Sequence, residues 1–554
     1  MSDTEQAALT TNFPASPIAA TLWEQESAGD WLPRFESASP SPPPADVAAV
    51  LKRSLSIVQR HREQNRLHDR HGKIAADVLE ELGPAGYWGL RVGRAYGGWD
   101  LPWSHFYPFL TQMATQSATI AGLASVHGCI GAAGAVSAFG TDAQKSQWLP
   151  LLAKGEKHTA FALTEPQAGT DLTAVATRAE RHGSMLRLYG EKTFISNLAP
   201  GRLIVLIGRI DDRPAALLVD LPTAETPEFR LRDYGLYALR RSLNRGMELK
   251  GLAVSADNVL APPKGDGLTI AYHGLNRGRV AVCAVAAGQL RVMLGSVVEW
   301  VQQRSTYGAA LARRELIRRR LSRLAGLLFG ADALAAWCGS LLDAGVRGEA
   351  ECTVAKVFGS EALKEAAIEL VMKTHGGRSF LHGHLWGDNL YDYLTPCIYE
   401  GEGEILSLAL FRMLAPRSNV LALPYSSSPP ASRSSQNAAF VGWAEFARAE
   451  FRRLADEYRR AIAAHGAALV DRQCLLVEWS QRLQKTVVLS VVAAAGARES
   501  NAGRRWAAEH LAADLERELS GRRADSRDFE RADRLGAWLT EGGADEWRDA
   551  QAPN

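Results

Sequence analysis

A block of strand-like sequence between two helical regions is the feature that most limits how this chain can fold. In residues 158–265, short apolar runs such as residues 203–207 alternate with Gly, Pro and Asp turns, which is typical of β-strands. Apolar residues recur at helical spacing in residues 46–157, and long helical patterns return in residues 266–420. The pattern predicts a mainly α protein with a central β-domain between an N-terminal and a C-terminal helical domain.

Three further segments differ in composition from these domains. Residues 1–45 are rich in Ser, Pro and Ala, which predicts a flexible N-terminal arm or an extended strap. Residues 421–437 contain many Ser and Pro residues and predict a linker. Residues 438–554 are rich in Ala, Arg and Glu with repeating apolar positions, so a further helical domain is expected there.

Charge and cysteine content argue against several classes of function. A net charge of +2 over 554 residues gives no general case for nucleic-acid binding. The six cysteines lie far apart without a C-x-x-C pair, which favours reduced thiols and predicts no metal site. The N-terminus has no basic stretch followed by an apolar core, so we expect a cytoplasmic protein.

Two short segments far apart in the chain carry residues suited to ligand chemistry. Residues 161–171 read Phe-Ala-Leu-Thr-Glu-Pro-Gln-Ala-Gly-Thr-Asp, and residues 398–401 read Ile-Tyr-Glu-Gly. Gly169 would let a ligand approach the backbone closely, and Thr164 and Thr170 offer hydroxyls. Each segment alone also fits a simpler structure: a Gly turn for residues 161–171, and an exposed Glu beside a helix for residues 398–401. Short motifs have many false positives, so neither segment suffices by itself.

Together, and in this order, the two segments resemble the acyl-CoA dehydrogenase family of flavoproteins. The resemblance covers roughly residues 46–415. It implies a helical domain, a β-domain and a C-terminal four-helix bundle, and the extra C-terminal helices are reminiscent of the family's very-long-chain branch. It also implies FAD as the cofactor. The residues implied to bind FAD are Phe161, Leu163, Thr164, Gly169, Thr170, Phe194, Ser196, Arg304, Tyr307, Gly376 and Gly377.

The pattern Arg-x-x-Tyr-Gly that begins at Arg304 resembles the family's segment that reaches FAD across a subunit interface. A guanidinium suits a diphosphate because it forms paired charged hydrogen bonds. The same sequence would also fit a helix end followed by a Gly stop. The resemblance therefore favours a homo-oligomer, with a homodimer as the expected state.

The resemblance assigns Glu400 as the base that removes the substrate α-proton. Desaturation at Cα–Cβ also needs a hydride acceptor, which only a cofactor can supply. Some relatives carry the base just before the arginine that is Arg279 here, but Gly278 has no side chain to accept a proton. The residues implied to contact the substrate are Thr170, Arg279, Tyr399 and Gly401.

Several residues depart from the family pattern and predict a divergent member. Glu402 stands where a Thr usually follows the base, so it either points outward or is neutralised by an arginine such as Arg378. Lys373 and Glu315 stand where many members have glutamines, and Tyr391 replaces a usual Arg.

The predicted function is the acyl-CoA dehydrogenase reaction of fatty acid metabolism, with an electron-transfer flavoprotein as acceptor. Alternatives are the same reaction on a carrier-protein-bound acyl group, an oxidase that passes electrons to oxygen, and a flavin monooxygenase, which would not need Glu400. A flavin-free homologue that acts as an assembly partner is a different class. The C-terminal helices could complete a homodimer, or contact a membrane or partner through residues 504–506.

Overall fold

The computed structural model describes residues 16–24, 42–414 and 438–549. Within these residues the chain forms two compact units. The first unit runs from Pro42 to Ala281, and the second contains the segment at residues 16–24 and the chain from Val282 onward. The N-terminal helical region and the β region, predicted as separate domains, therefore share one unit.

The helices of the first unit precede its sheet. They are α1 (Ala45–Glu63), α2 (Ala76–Leu82), α3 (Trp103–Gln116), α4 (Ala118–Ser125), α5 (Ala132–Phe139) and α6 (Asp142–Lys154). A π-helical turn at Val126–Ile130 lies between α4 and α5. The start of α6 follows from its sequence: the Thr141 hydroxyl accepts a hydrogen bond from the Gln144 backbone N–H, and the Gln144 side chain accepts one from the Thr141 N–H.

An eight-stranded sheet follows these helices in the first unit. Its strands are β1 (Thr159–Ala162), β2 (Arg178–His182), β3 (Met185–Ser196), β4 (Leu203–Ile210), β5 (Arg213–Asp220), β6 (Phe229–Asp233), β7 (Asn244–Ser255) and β8 (Val259–Leu260). The order is β6-β7-β3-β2-β4-β5-β8, and β1 pairs with β4 in parallel. The central β-domain predicted from the sequence is confirmed.

The continuous apolar sequence of β4 reflects burial of both its faces. Leu203 and Val205 pack with the helix residue Leu149 in one core, whereas Ile204 and Leu206 lie in a second core within the β-domain. All four strand residues are fully buried. Since neighbouring strand residues point to opposite faces, a strand between two cores loses the usual polar alternation.

The second unit is helical. Its long helices are α7 (Gly267–Gln303), which begins in the first unit, α8 (Glu315–Asp343), α9 (Glu349–Glu365), α10 (Gly403–Met413), α11 (Ala438–His465), α12 (Gln473–Arg498), α13 (Ala502–Ser520) and α14 (Ser526–Trp538). A short hairpin of β9 (Ser305–Thr306) and β10 (Ala309–Ala310) follows α7. The linker predicted at residues 421–437 lies outside the described residues.

The additional C-terminal helices are an integral part of the second unit. Arg318 of α8 bonds to the carboxylate of Asp533 on α14 at 3.1 Å, and the Ser322 hydroxyl donates to the Ala532 carbonyl at 2.6 Å. Arg323 bonds to Asp514 of α13 at 3.2 Å. One helix face of the bundle is therefore covered by this chain's own C-terminal helices.

Part of the N-terminal segment predicted as a flexible arm is instead a buried helical turn. Pro17–Ala19 is α-helical and continues as a π-helix. The Ser16 hydroxyl donates to Glu351 of α9 at 2.5 Å, and the Trp23 indole N–H donates to the Leu414 carbonyl at 2.7 Å. Ile18 is fully buried. A few large apolar residues within a Ser- and Pro-rich segment are enough to dock it, because each contributes about 1.5–3 kcal/mol on burial.

Among the residues that the structure describes, three helical stretches are long and apolar enough to cross a membrane: Ala118–Phe139, Gly267–Gln303 and Glu315–Asp343. Their most apolar windows are 72%, 72% and 83% buried within the protein. A helix that is apolar on all sides is also what the centre of a large helical core requires. Their hydropathy is thus accounted for by packing inside this fold.

Candidate active site

The two segments predicted to bind the flavin ring lie side by side in the first unit. The Thr193 backbone N–H of β3 donates to the Thr164 carbonyl at 2.9 Å. Leu163 is buried and Thr164 is half-buried, whereas Gly169 and Thr170 lie in the exposed loop after β1. The structure therefore brings together residues that are about 30 positions apart in sequence and leaves the Gly–Thr loop open to a ligand.

Phe194 is held outward from the sheet by an irregularity in β3. The pairing of β3 with β7 shifts register between Lys192 and Ile195, and Phe194 has φ +56°. Its side chain is 56% exposed, with the Tyr234 ring 5.2 Å away. A bulge of this kind re-aims a side chain at the cost of local strain. Ser196, two residues on, accepts a hydrogen bond from Asn244 at 3.2 Å and can still donate one.

A buried ion pair lies directly behind these flavin segments. Lys192 Nζ donates to Glu165 Oε1 at 2.7 Å, and also to the carbonyls of Leu163 and Ile207 at 2.8 Å and 2.6 Å. Burial lowers the pKa of Lys192 to about 8 although Glu165 favours its charged form. Burial acts to raise the pKa of Glu165, but Lys192 and two backbone N–H groups outweigh it and lower that pKa.

This pair was missed in the sequence, although a signal was present. Glu165 and Lys192 each stand beside residues that were predicted to contact the cofactor, and neither was assigned a role from the sequence. A buried charge is expensive unless it is paired and hydrogen-bonded. All three ammonium hydrogens of Lys192 have acceptors, so the pair joins the segment after β1 to β3 and β4 at the back of the site.

Glu400 lies in a tight turn in the second unit. Its φ is +56° and that of Gly401 is +106°. The buried Lys356 of α9 donates to the carbonyls of Cys397, at 3.4 Å, and Gly401. Burial raises the pKa of the adjacent Tyr399, and the Glu400 carboxylate raises it further, so the phenol stays neutral.

Three of the predicted site residues that are not glycine have left-handed backbone. Among the described residues, five of the nine non-glycine residues with positive φ are Asn or Asp, which tolerate that region. The other four are Leu239, Phe194, Tyr307 and Glu400. Three of these four were predicted as cofactor or catalytic residues. Such strain persists only where surrounding structure holds it, and it clusters at functional sites.

Glu402 is a helix cap. Its side chain accepts hydrogen bonds from the backbone N–H groups of Glu404 and Ile405 at 2.9 Å and 3.0 Å, at the start of α10. Anionic side chains are favoured at a helix N-terminus. The Arg378 guanidinium, expected as one possible partner of this carboxylate, lies over the Trp300 ring, 4.1 Å from its centroid. The residue that departs from the family pattern thus retains the capping ability of a Thr.

Arg304 and the glycine pair lie around Trp300 in the second unit. Arg304 N–H donates to the Trp300 carbonyl at 2.9 Å, and the Trp300 indole N–H donates to the Thr374 carbonyl at 3.1 Å. Gly376 follows with φ +70°. Tyr307, at the hairpin tip, is 99% exposed with φ +48°. The end of α7 therefore brings the Arg-x-x-Tyr-Gly segment near the glycine pair.

The remaining predicted residues take ordinary positions. Arg279 is buried on α7, where it donates to Asn276 at 3.2 Å. Lys373 forms an exposed ion pair with Glu369 one helical turn away, and Glu315 begins α8. These two substitutions for the family's glutamines sit on the surface and place no charge in a core.

Each unit, taken by itself, offers groups that suit part of an FAD molecule. A Cβ built at Gly169, Gly376 or Gly377 would meet open space, so a ligand can approach the backbone at each. Arg304 offers an exposed guanidinium for a diphosphate, and Phe194 offers an exposed ring face. The individual roles of these residues toward FAD stay predictions.

Comparison with known proteins agrees with this assignment. The acyl-CoA dehydrogenase N-terminal domain matches residues 50–156, and the C-terminal domain of the same family matches residues 265–414. An acyl-CoA dehydrogenase of Bacillus subtilis is 28% identical over 343 residues, which cover 61% of this chain and 89% of that protein.

The very long-chain specific acyl-CoA dehydrogenase of Rattus norvegicus is 28% identical over 352 residues, 62% of this chain and 53% of that protein. The chain thus matches about half the length of this relative. A solved acyl-CoA dehydrogenase complexed with FAD from Bacillus anthracis covers 94% of this chain and 99% of its own, with a TM-score of 0.74 and 20% identity. That likeness establishes the fold. The chain therefore belongs to the acyl-CoA dehydrogenase family, whose members are FAD-dependent oxidoreductases that act on CH–CH bonds.

Proposed function

We propose that this protein is an FAD-dependent dehydrogenase that introduces an α,β double bond into an acyl thioester. The observation that carries the proposal is Glu400, which stands at the family's base position and is held in a left-handed turn. Acyl-CoA is the proposed substrate and an electron-transfer flavoprotein the proposed acceptor, both supported by family membership.

Glu400 is assigned the removal of the α-proton. Its carboxylate takes the proton from Cα, and the electron pair of that C–H bond becomes the second bond between Cα and Cβ. The hydrogen on Cβ leaves with its electron pair. When bound, FAD supplies the acceptor for that hydride.

The other residues bind and orient the reactants. The backbone N–H of Glu400 is assigned to the thioester oxygen, where it stabilises the charge that develops as the proton leaves. Phe194 and Leu163 are assigned to the flavin ring, and Ser196 to a hydrogen bond at its polar edge. Because Tyr399 stays neutral, it adds no negative charge beside the carboxylate that must accept a proton.

A homodimer in the cytoplasm is part of the proposal. The fully exposed Tyr307 at a strained hairpin tip supports a subunit contact, because an aromatic side chain gains most from burial against a partner. Of the six cysteines, five are buried and all are free, which fits a reducing compartment.

The test is an absorbance spectrum of the purified protein, repeated during anaerobic titration with butyryl-, octanoyl- and palmitoyl-CoA. We expect bound flavin that one chain-length class bleaches, and we expect Glu400→Gln to keep the flavin but lose the bleaching. Flavin that no acyl-CoA reduces would redirect the proposal to a carrier-protein-bound acyl group. A protein that takes up no flavin even from added FAD would favour the assembly-partner alternative.

A further inference from the structure

Lys356 is a fully buried lysine that donates hydrogen bonds to residues on both sides of the proposed base in sequence. It lies on α9, among the apolar residues Ala355 and Val357, and its side chain has no solvent exposure. Its ammonium group donates to the Cys397 carbonyl at 3.4 Å and to the Gly401 carbonyl. These acceptors lie three residues before Glu400 and one residue after it.

The turn that Lys356 holds is one that an isolated peptide would avoid. A non-glycine residue in the left-handed region costs about 1 kcal/mol or more. Glu400, at φ +56°, therefore needs external contacts to stay in place. Gly401 has φ +106°, and a Cβ there would come within 2.6 Å of Leu406, so the turn also closes tightly on α10.

Two further contacts hold the ends of this turn. The Cys397 thiol donates to the Ser360 carbonyl of α9 at 3.4 Å. After the turn, Glu402 caps α10. Lys356 is the contact that spans the turn, because it alone of these groups bonds on both sides of Glu400. A buried ammonium is costly, and a neutral side chain would anchor a purely structural loop at a lower desolvation cost.

We propose that Lys356 is a positioning residue for the base: it latches residues 397–401 so that Glu400 keeps its left-handed conformation for proton removal. This inference rests on the proposed function. It predicts that loss of the latch slows α-proton removal while substrate binding is little changed. Misplacement of a catalytic group by about 1 Å can cost on the order of 100-fold in rate.

The test compares Lys356→Met, Lys356→Gln and the matched control Lys364→Met in the flavin-loaded protein. Lys364 lies on the same helix, but its side chain is 45% exposed and pairs with Glu361. Hydrogen–deuterium exchange of peptides covering residues 395–405 is the first readout, because it requires no turnover. We expect exchange there to be at least about fivefold faster in Lys356→Met and within about twofold of the parent in Lys364→Met.

Kinetics supply the second readout, with the acyl-CoA that bleaches the parent flavin fastest. We expect Lys356→Met to lower kcat by about 10- to 100-fold, with KM within about threefold. The isotope effect of an α,α-dideuterated substrate should rise, because proton removal becomes more rate-limiting. A lysine that only supports folding would lower the active fraction and leave the isotope effect and KM unchanged.

Unchanged exchange in residues 395–405 together with a kcat within about twofold of the parent would overturn the inference. If Lys356→Met fails to fold, Lys356→Gln decides, since its amide is polar but one bond shorter than the lysine and loses the bridge between the two carbonyls. Faster exchange and lower kcat at full flavin content in that variant would support the latch, and parent-like values would overturn it. Because exchange is measured without substrate, a failed latch is distinguishable from a wrong reaction, which Glu400→Gln tests.

Discussion

Lys192 donates a hydrogen bond to Glu165 over 2.7 Å, and neither side chain is more than 5% exposed to solvent. Glu165 lies in the first predicted flavin segment, and Lys192 lies next to Thr193, whose N–H bonds to the carbonyl of Thr164. The ion pair therefore joins the two segments from behind while their open faces stay available to the cofactor. The buried ion pair holds the segment after β1 in place against strand β3.

Removing Lys192 should destabilise the first unit strongly. Lys192→Met leaves Glu165 as an unpaired buried carboxylate, which costs about 3–5 kcal/mol. The measurement is urea unfolding followed by tryptophan fluorescence. Lys250→Met is the control, because Lys250 is an exposed β7 residue paired with Glu248, and its loss should stay within about 0.5 kcal/mol. Equal losses for the two variants would contradict a structural role for the buried pair.

Replacing Phe194 with Gly should weaken FAD binding without destabilising the fold. Glycine relieves the positive φ of Phe194, which offsets the entropy that glycine loses on folding, so stability of the apo protein should change by less than about 1 kcal/mol. Loss of the aromatic face should raise the FAD dissociation constant roughly tenfold. Equilibrium dialysis with FAD and thermal unfolding measure the two effects.

The control for Phe194 is Phe229→Ala in the sheet core. Phe229 is fully buried, and its truncation should cost about 3–5 kcal/mol. A Phe194→Gly protein that unfolds as easily as Phe229→Ala, or that binds FAD as tightly as the parent, would show that the exposed ring serves the fold and not the cofactor.

Changing Glu402 separates its capping role from its charge. Glu402→Ala should lower stability by about 1 kcal/mol, because the first N–H groups of α10 lose their acceptor. Glu402→Thr should remain close to the parent, since a hydroxyl caps nearly as well. Differential scanning calorimetry gives the comparison. A Thr variant as unstable as the Ala variant would mean that the carboxylate acts through something other than the cap.

His375 should make stability depend on acid pH. Burial lowers its pKa to about 4 from an unfolded value of 6.5, with His384 and Arg378 adding to the effect. Its Nε2 accepts a hydrogen bond from the Trp386 indole at 3.2 Å, which requires the neutral ring. At a pH between the two pKa values, the imidazole is protonated in the unfolded chain but neutral in the folded chain. The contribution of His375 to the free energy of unfolding is therefore complete above the pKa of the unfolded state and declines as the pH falls toward the pKa of the folded state.

In His375→Gln, the decline of stability between these two pKa values should be shallower than in the parent. Urea midpoints measured across that range provide the slope. His71→Gln, an exposed histidine, serves as control and should keep the parent slope. If the urea midpoint changed equally with pH in all three proteins, His375 would not contribute to the loss of stability in acid.

Local patterns determined most of the architecture, and the resemblance of short segments to a known family identified the candidate residues. Helical and strand periodicity are properties of short windows, so the helix–sheet–helix order and the extra C-terminal helices followed from sequence. The apolar docking residues at positions 18–23 were hidden in a Ser- and Pro-rich segment, because composition averages over neighbours whereas burial is decided residue by residue. The candidate site residues were readable because their segments are contiguous.

Tertiary structure alone decided how those residues are held. Lys356 and Glu400 are 44 positions apart, and nothing in either local sequence shows that one anchors the turn of the other. The role of Glu402 likewise depended on where α10 begins. Backbone strain at Phe194, Tyr307 and Glu400 is sustained by contacts from other elements, and long-range contacts of this kind have no short-range signature. The sequence therefore determined which groups can do the chemistry, and the packing decided the conformation in which they are held.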